Sequence, residues 1–71
     1  SDCTIDFEQV YATEDQAKEA LAYLTEKARA AESEPCTIRS EISAVENGVK
    51  LKATFEFCCQ AESMIFQLST R

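Results

Sequence analysis

Four cysteines, Cys3, Cys36, Cys58 and Cys59, are the side chains of this 71-residue chain best suited to chemistry, because the sequence contains no histidine. A thiolate can be a nucleophile, a metal ligand or half of a disulfide, and its protonation and surroundings decide which. Free cysteine is also among the most often buried residues, packing as a small hydrophobe, and that reading comes first for all four. A redox role comes second. Cys58 and Cys59 fall near the start of an expected helix, where the macrodipole favours thiolate. Metal binding comes third: it would need three thiolates with Glu34 or Glu62 as fourth ligand, in a chain that has no CxxC pair.

Other chemistry has less support. Without histidine there is no Ser-His-Asp or Cys-His pair, and acid-base work would fall on surface carboxylates. Gly48 is the single glycine, so no phosphate-cradling loop can form. Glu32, Glu34, Glu41, Glu46 and Glu62 lack the dense Asp/Asn-Gly loop of a calcium site and read as solvated surface. The chain is not expected to be an enzyme. No catalytic residue, cofactor or metal is assigned to it.

The elements that must position the thiols are legible from periodicity. Cys3, Ile5 and Phe7 alternate with Thr4, Asp6 and Glu8 as in a strand with one buried face, and Val10-Tyr11 breaks the pattern as a strand end or bulge would. Thr13-Glu14-Asp15-Gln16 has the form of a capping box. Ala17, Ala20, Leu21, Leu24, Ala28 and Ala31 follow as one apolar stripe, and Pro35 stops the helix. Two alternating runs flank Asn47-Gly48, a strong hairpin signal because both central residues of a type I′ turn need positive φ. Ala61, Met64, Ile65 and Leu68 recur at helical spacing, which predicts a short closing helix with that stripe as its apolar face. A fourth strand through Met64, Phe66 and Leu68 is the competing reading.

The order is β-α-β-β-α. A right-handed crossover gives a three-stranded antiparallel sheet of order 1-3-2 with two helices on one face, an incomplete ferredoxin-like α+β fold. Centring the hairpin on Asn47-Gly48 sets Ile38 opposite Phe57 and Cys36 opposite Cys59, close enough in principle to be bridged. Cys3, first inward residue of strand one, then joins them, which predicts a Cys3/Cys36/Cys59 thiol cluster. Cys58 is expected to point to the other face, alongside Lys50, Lys52 and Glu56.

Composition sets the remaining bounds. A hydrophobic share of 45% with 28% charged residues, one Gly and one Pro indicates a folded chain. Residues 1–71 are read as a single α+β domain. It opens at Ser1 without Met, so a preceding N-terminal segment is expected. A net charge of −6 repels phosphate backbones and anionic lipid, making nucleic acid and membrane poor partners. No signal sequence or spanning segment is seen, so a cytoplasmic location with reduced thiols is expected. A single core this small usually needs support, and the open edge of strand one suggests a homodimer, joined there or through residues of the last helix such as Phe66.

The runs LTEKARAAESEPCTI, VENGVKL and CQAESMIFQL together resemble the YfcZ/YiiS family of small bacterial proteins, over nearly the whole chain. The resemblance implies a compact α+β domain with no assigned activity, ligand or catalytic residue. It also implies an N-terminal segment with further cysteines, and cysteine at the positions of Cys3, Cys36 and Cys59 more regularly than at Cys58.

Overall fold

Thr13 begins the first helix as its sequence predicts. Its Oγ1 accepts from the Gln16 amide at 3.2 Å, while the Gln16 side chain accepts from the Ala12 amide at 3.1 Å, so two otherwise orphaned donors are satisfied. The computed structural model describes residues 3–71. Its elements are β1 (Thr4–Tyr11), α1 (Glu14–Ala31), β2 (Thr37–Val45), β3 (Gly48–Glu56) and α2 (Gln60–Ser69). The fold is α+β. Three antiparallel strands lie in the order β1-β3-β2, and residues 61–69 are helix rather than a fourth strand.

Along β3, Leu51, Ala53 and Phe55 are buried, as is Phe57 just past its end. Ile5 and Ile38 flank Phe55 from the two neighbouring strands. Leu24, Ala28 and Ala31 of α1 and Phe66 of α2 complete one core with Cys36, Ala53, Phe55 and Phe57. The alanines let α1 approach the sheet closely, and the aromatic rings fill the space left over. Phe66 packs its ring 4.8 Å from Phe55 and 5.3 Å from Phe57, centroid to centroid, a separation typical of favourable aromatic pairs.

Four details differ from the sequence-based expectation. The hairpin turns at Glu46-Asn47, with Val45 opposite Gly48 and Ile38 opposite Phe55. Asn47 does not adopt positive φ, whereas Gly48 does, at 150°, so no type I′ turn forms. A Cβ on Gly48 would lie 2.2 Å from the Tyr11 carbonyl oxygen. Glycine therefore serves the close approach of β1 to β3 as well as the turn. The register moves by two residues, which preserves inward and outward faces but changes every partner.

The second difference lies in β1, which pairs with β3 in unbroken register through Val10 and Tyr11, without a bulge. Third, α1 ends at Ala31, four residues before Pro35. Glu32 caps it, its amide donating to the Ala28 carbonyl at 3.0 Å. The fourth difference is the rotation of α2. Glu62, Ser63 and Phe66 face inward, while Met64, Ile65 and Leu68 are 52%, 52% and 60% exposed and Ala61 is also exposed. The aromatic ring and a tethered carboxylate together outweigh the four-residue stripe in setting the helix face.

Candidate functional site

The shifted register separates the thiols that the sequence reading groups. Phe57 donates its amide to the Cys3 carbonyl at 2.9 Å, and Cys36 precedes the Thr37–Glu56 pair, so Cys3 and Cys36 lie on either side of the Phe57 strand position. Two strand spacings put them roughly 9–10 Å apart, beyond the reach of a disulfide. Cys59 is not opposite Cys36. It has left the strand to become the N-cap of α2 and is exposed. The expected three-strand cluster of Cys3, Cys36 and Cys59 is thus not assembled, because β3 ends at Glu56 and the chain turns into α2 before reaching it.

Phe66 is corrected in the same way. It is 2% exposed, locked between Phe55 and Phe57, and cannot meet a partner subunit without leaving the core.

The chain brings together a different set. The Cys58 and Cys59 sulfurs and a Glu62 carboxylate oxygen all lie within 4.8 Å of one another. Adjacent residues of a strand point to opposite faces, but Cys58 and Cys59 occupy the bend between β3 and α2, so both thiols reach one side. Cys58 Sγ also donates to Glu34 Oε2 at 3.6 Å. Hydrogen bonding and charge from Glu34 push the Cys58 thiol above its ordinary pKa, with burial, Cys59 and Glu62 adding to the shift.

Glu62 holds this group to the fold. It is 4% exposed and crosses to the loop after α1, where one of its oxygens, Oε2, accepts from the Ser33 amide at 2.9 Å and from the Ser33 hydroxyl. These Ser33 bonds hold its carboxyl below the usual carboxylate range, against the opposing effect of burial. The other oxygen, Oε1, is buried without a hydrogen-bond partner among the described residues. Sequence reasoning took Glu62 for solvated surface, or else for a fourth ligand beside three thiolates, and assigned Ser33 no role. The available signal was the position of Glu62, three residues after the Cys59 N-cap, where an acid commonly turns inward to serve a helix start.

A second polar knot ties the end of α1 to Cys36, just before β2. Arg29 donates to Glu32 Oε2 at 3.0 Å and to the Cys36 carbonyl at 3.2 Å, and the Cys36 amide donates to the same Glu32 oxygen at 2.7 Å. The Cys36 amide bond is the main cause that lowers the Glu32 pKa. Burial, followed by hydrogen bonding and charge from Glu32, raises the Cys36 thiol. Cys36 is thereby kept protonated inside the core, suited to packing and poorly suited to nucleophilic attack.

Among the described residues no helix is long and apolar enough to cross a membrane.

Comparison with known proteins places the domain among relatives. The family model described as "Protein of unknown function (DUF406)" matches residues 1–71. A "UPF0381 protein" of Haemophilus influenzae is 58% identical over the whole chain, which spans 75% of that protein. The "UPF0381 protein YfcZ" of Escherichia coli is 48% identical, with this chain spanning 76% of it. A solution NMR structure from Vibrio cholerae shares 25% identity at a TM-score of 0.69, covering all of this chain and 64% of that one.

Proposed function

Within the DUF406 family of proteins of unknown function, to which this chain belongs, we propose that the domain is a non-enzymatic interaction module that pairs with a second copy of itself through the exposed face of α2. The observation carrying this reading is the outward stripe of Ala61, Met64, Ile65 and Leu68. Their offsets of three, four and seven residues from Ala61 are those of a helix-packing seam.

Charge favours a second copy as the occupant. The chain carries −6, which opposes self-association over most of its surface. The one charged residue of α2, Glu62, is buried, so two α2 faces can meet about a twofold axis without bringing like charges together. The edge of β1 is less suitable. Asp6 and Glu8 are exposed along it, and antiparallel pairing of two such edges would place acids near acids. The absence of histidine supports a non-enzymatic role. Four free thiols support a reducing compartment, the cytoplasm.

Light scattering coupled to size exclusion tests the proposal at micromolar concentration. The expected species has twice the 7.9 kDa chain mass, and Ile65→Glu with Leu68→Glu yields the single-chain mass with an unchanged circular dichroism spectrum. A single-chain mass for the parent protein at every concentration overturns it, and a different protein or chain segment then becomes the occupant to seek.

A further inference from the structure

We propose that Cys58, Cys59 and Glu62 form a binding site for a thiophilic divalent cation of the zinc class, with Glu34 placed to supply the fourth ligand. The set differs from a Cys3/Cys36/Cys59 group, and it is independent of self-association through α2.

Three observations carry it. The three ligand atoms already lie within 4.8 Å of one another. Metal–sulfur bonds of about 2.3 Å and metal–oxygen bonds of about 2.0–2.2 Å require tetrahedral ligand separations of roughly 3.5–3.8 Å. The remaining closure of about 1 Å is within side-chain rotation of two exposed thiols. Cys58 and Cys59 can make that rotation because neither is part of the core.

The second observation is Glu62. A carboxylate that is 4% exposed needs counter-charge or full hydrogen bonding. None of the ion pairs among the described residues involves it, and its Oε1 has no hydrogen-bond partner among them. A cation bound there would supply both. Ser33 meanwhile fixes the other oxygen, as outer partners commonly orient a ligating carboxylate.

The third is Glu34, whose Oε2 lies 3.6 Å from the Cys58 sulfur and accepts a hydrogen bond from its thiol. That is a suitable place for a fourth ligand, the second oxygen of the set, once the thiol has ionised. The balance is simple: one M²⁺ enters, Cys58 and Cys59 each lose a thiol proton to solvent, two M–S bonds and at least one M–O bond form, and no electron is transferred. Three anionic ligands leave the site at −1, and Glu34 would take it to −2. Binding is therefore tighter at higher pH.

Cobalt(II), added under a non-thiol reductant, reads the site through thiolate-to-metal charge-transfer absorption, and zinc calorimetry in two buffers counts released protons. The expected result is one metal per chain with proton release, lost in Cys58→Ser and in Cys59→Ser and retained in Cys3→Ser. Ser33→Ala, which removes the hydroxyl bond to Glu62 Oε2 and leaves every proposed ligand in place, is expected to weaken zinc binding by about 10- to 100-fold. Glu62→Gln is expected to weaken it further, circular dichroism confirming its fold. The assignment is overturned by the absence of charge-transfer absorption, by its survival in the Cys58→Ser, Cys59→Ser double variant, or by its loss in Cys3→Ser. Unchanged affinity in both Ser33→Ala and Glu62→Gln overturns it equally, since the metal would then rest on the thiols alone.

Discussion

Glu62 of α2 and Ser33 of the α1–β2 connection are joined by an amide-to-carboxylate hydrogen bond of 2.9 Å and by a second bond from the Ser33 hydroxyl. Twenty-nine residues separate them, so the contact fixes the last helix to the loop beyond the first. It presents Glu62 to the thiols of Cys58 and Cys59.

The Ser33–Glu62 contact makes stability pH-dependent. The folded-state pKa of Glu62 is lowered by Ser33, and that of Glu32 by Cys36. A depressed carboxyl pKa gives stability that is fully present above the unfolded value, about 4.3, and lost as pH falls through the folded value. Thermal unfolding from pH 7 downward should show the midpoint falling in acid. The fall should be shallower in Glu62→Gln and in Glu32→Gln; identical slopes in the parent and both variants contradict the assignment.

Gly48 is predicted to be the least substitutable residue of the hairpin. Gly48→Ala must hold a Cβ at φ 150° against the Tyr11 carbonyl oxygen, and a cost of about 1–3 kcal/mol is expected. Asn47→Ala, at a position without positive φ, should cost less. Urea unfolding of the two variants ranks them, and equal losses would mean that the approach of β1 does not depend on the glycine.

The two faces of α2 should respond oppositely to truncation. Phe66→Ala removes a ring packed on Phe55 and Phe57, with an expected loss of about 3–5 kcal/mol. Leu68→Ala, at 60% exposure, should change the stability of the isolated chain by no more than about 0.5 kcal/mol. Denaturation at a concentration below self-association checks the contrast.

Thiol labelling followed by mass spectrometry should separate the cysteines by environment. Cys36 is 6% exposed and its thiol pKa is raised, so alkylation there should require unfolding. Cys58 is exposed but held protonated chiefly by Glu34. Glu34→Gln should therefore speed alkylation of Cys58 near pH 8 without changing protection of Cys36. Rapid labelling of Cys36 in the native protein contradicts its place in the core.

Much of the fold was legible because it is carried by local periodicity. Ile5 and Phe7 in β1, the Thr13 cap, the alanine-rich stripe of α1 and the alternation on both sides of Asn47-Gly48 each fix an element through neighbours in sequence. Parity is equally robust: a two-residue change of register leaves Phe55 and Ile38 on the inner face.

The position of the thiols was a different matter, because it depends on where one strand ends and on which residues a turn contains. Sequence spacing made Cys58 and Cys59 members of opposite faces. The bend after Glu56 brings them to one side, at the start of α2. Likewise, the stripe of Ala61, Met64, Ile65 and Leu68 announced a helix but not its rotation. That was decided by long-range contacts, Phe66 on Phe55 and Glu62 on Ser33, which no local pattern encodes. The sequence by itself determined the elements and their inner faces, since these follow from backbone periods. Only the tertiary structure decided which thiols meet and which apolar residues remain outside, since those follow from contacts between segments far apart in the chain.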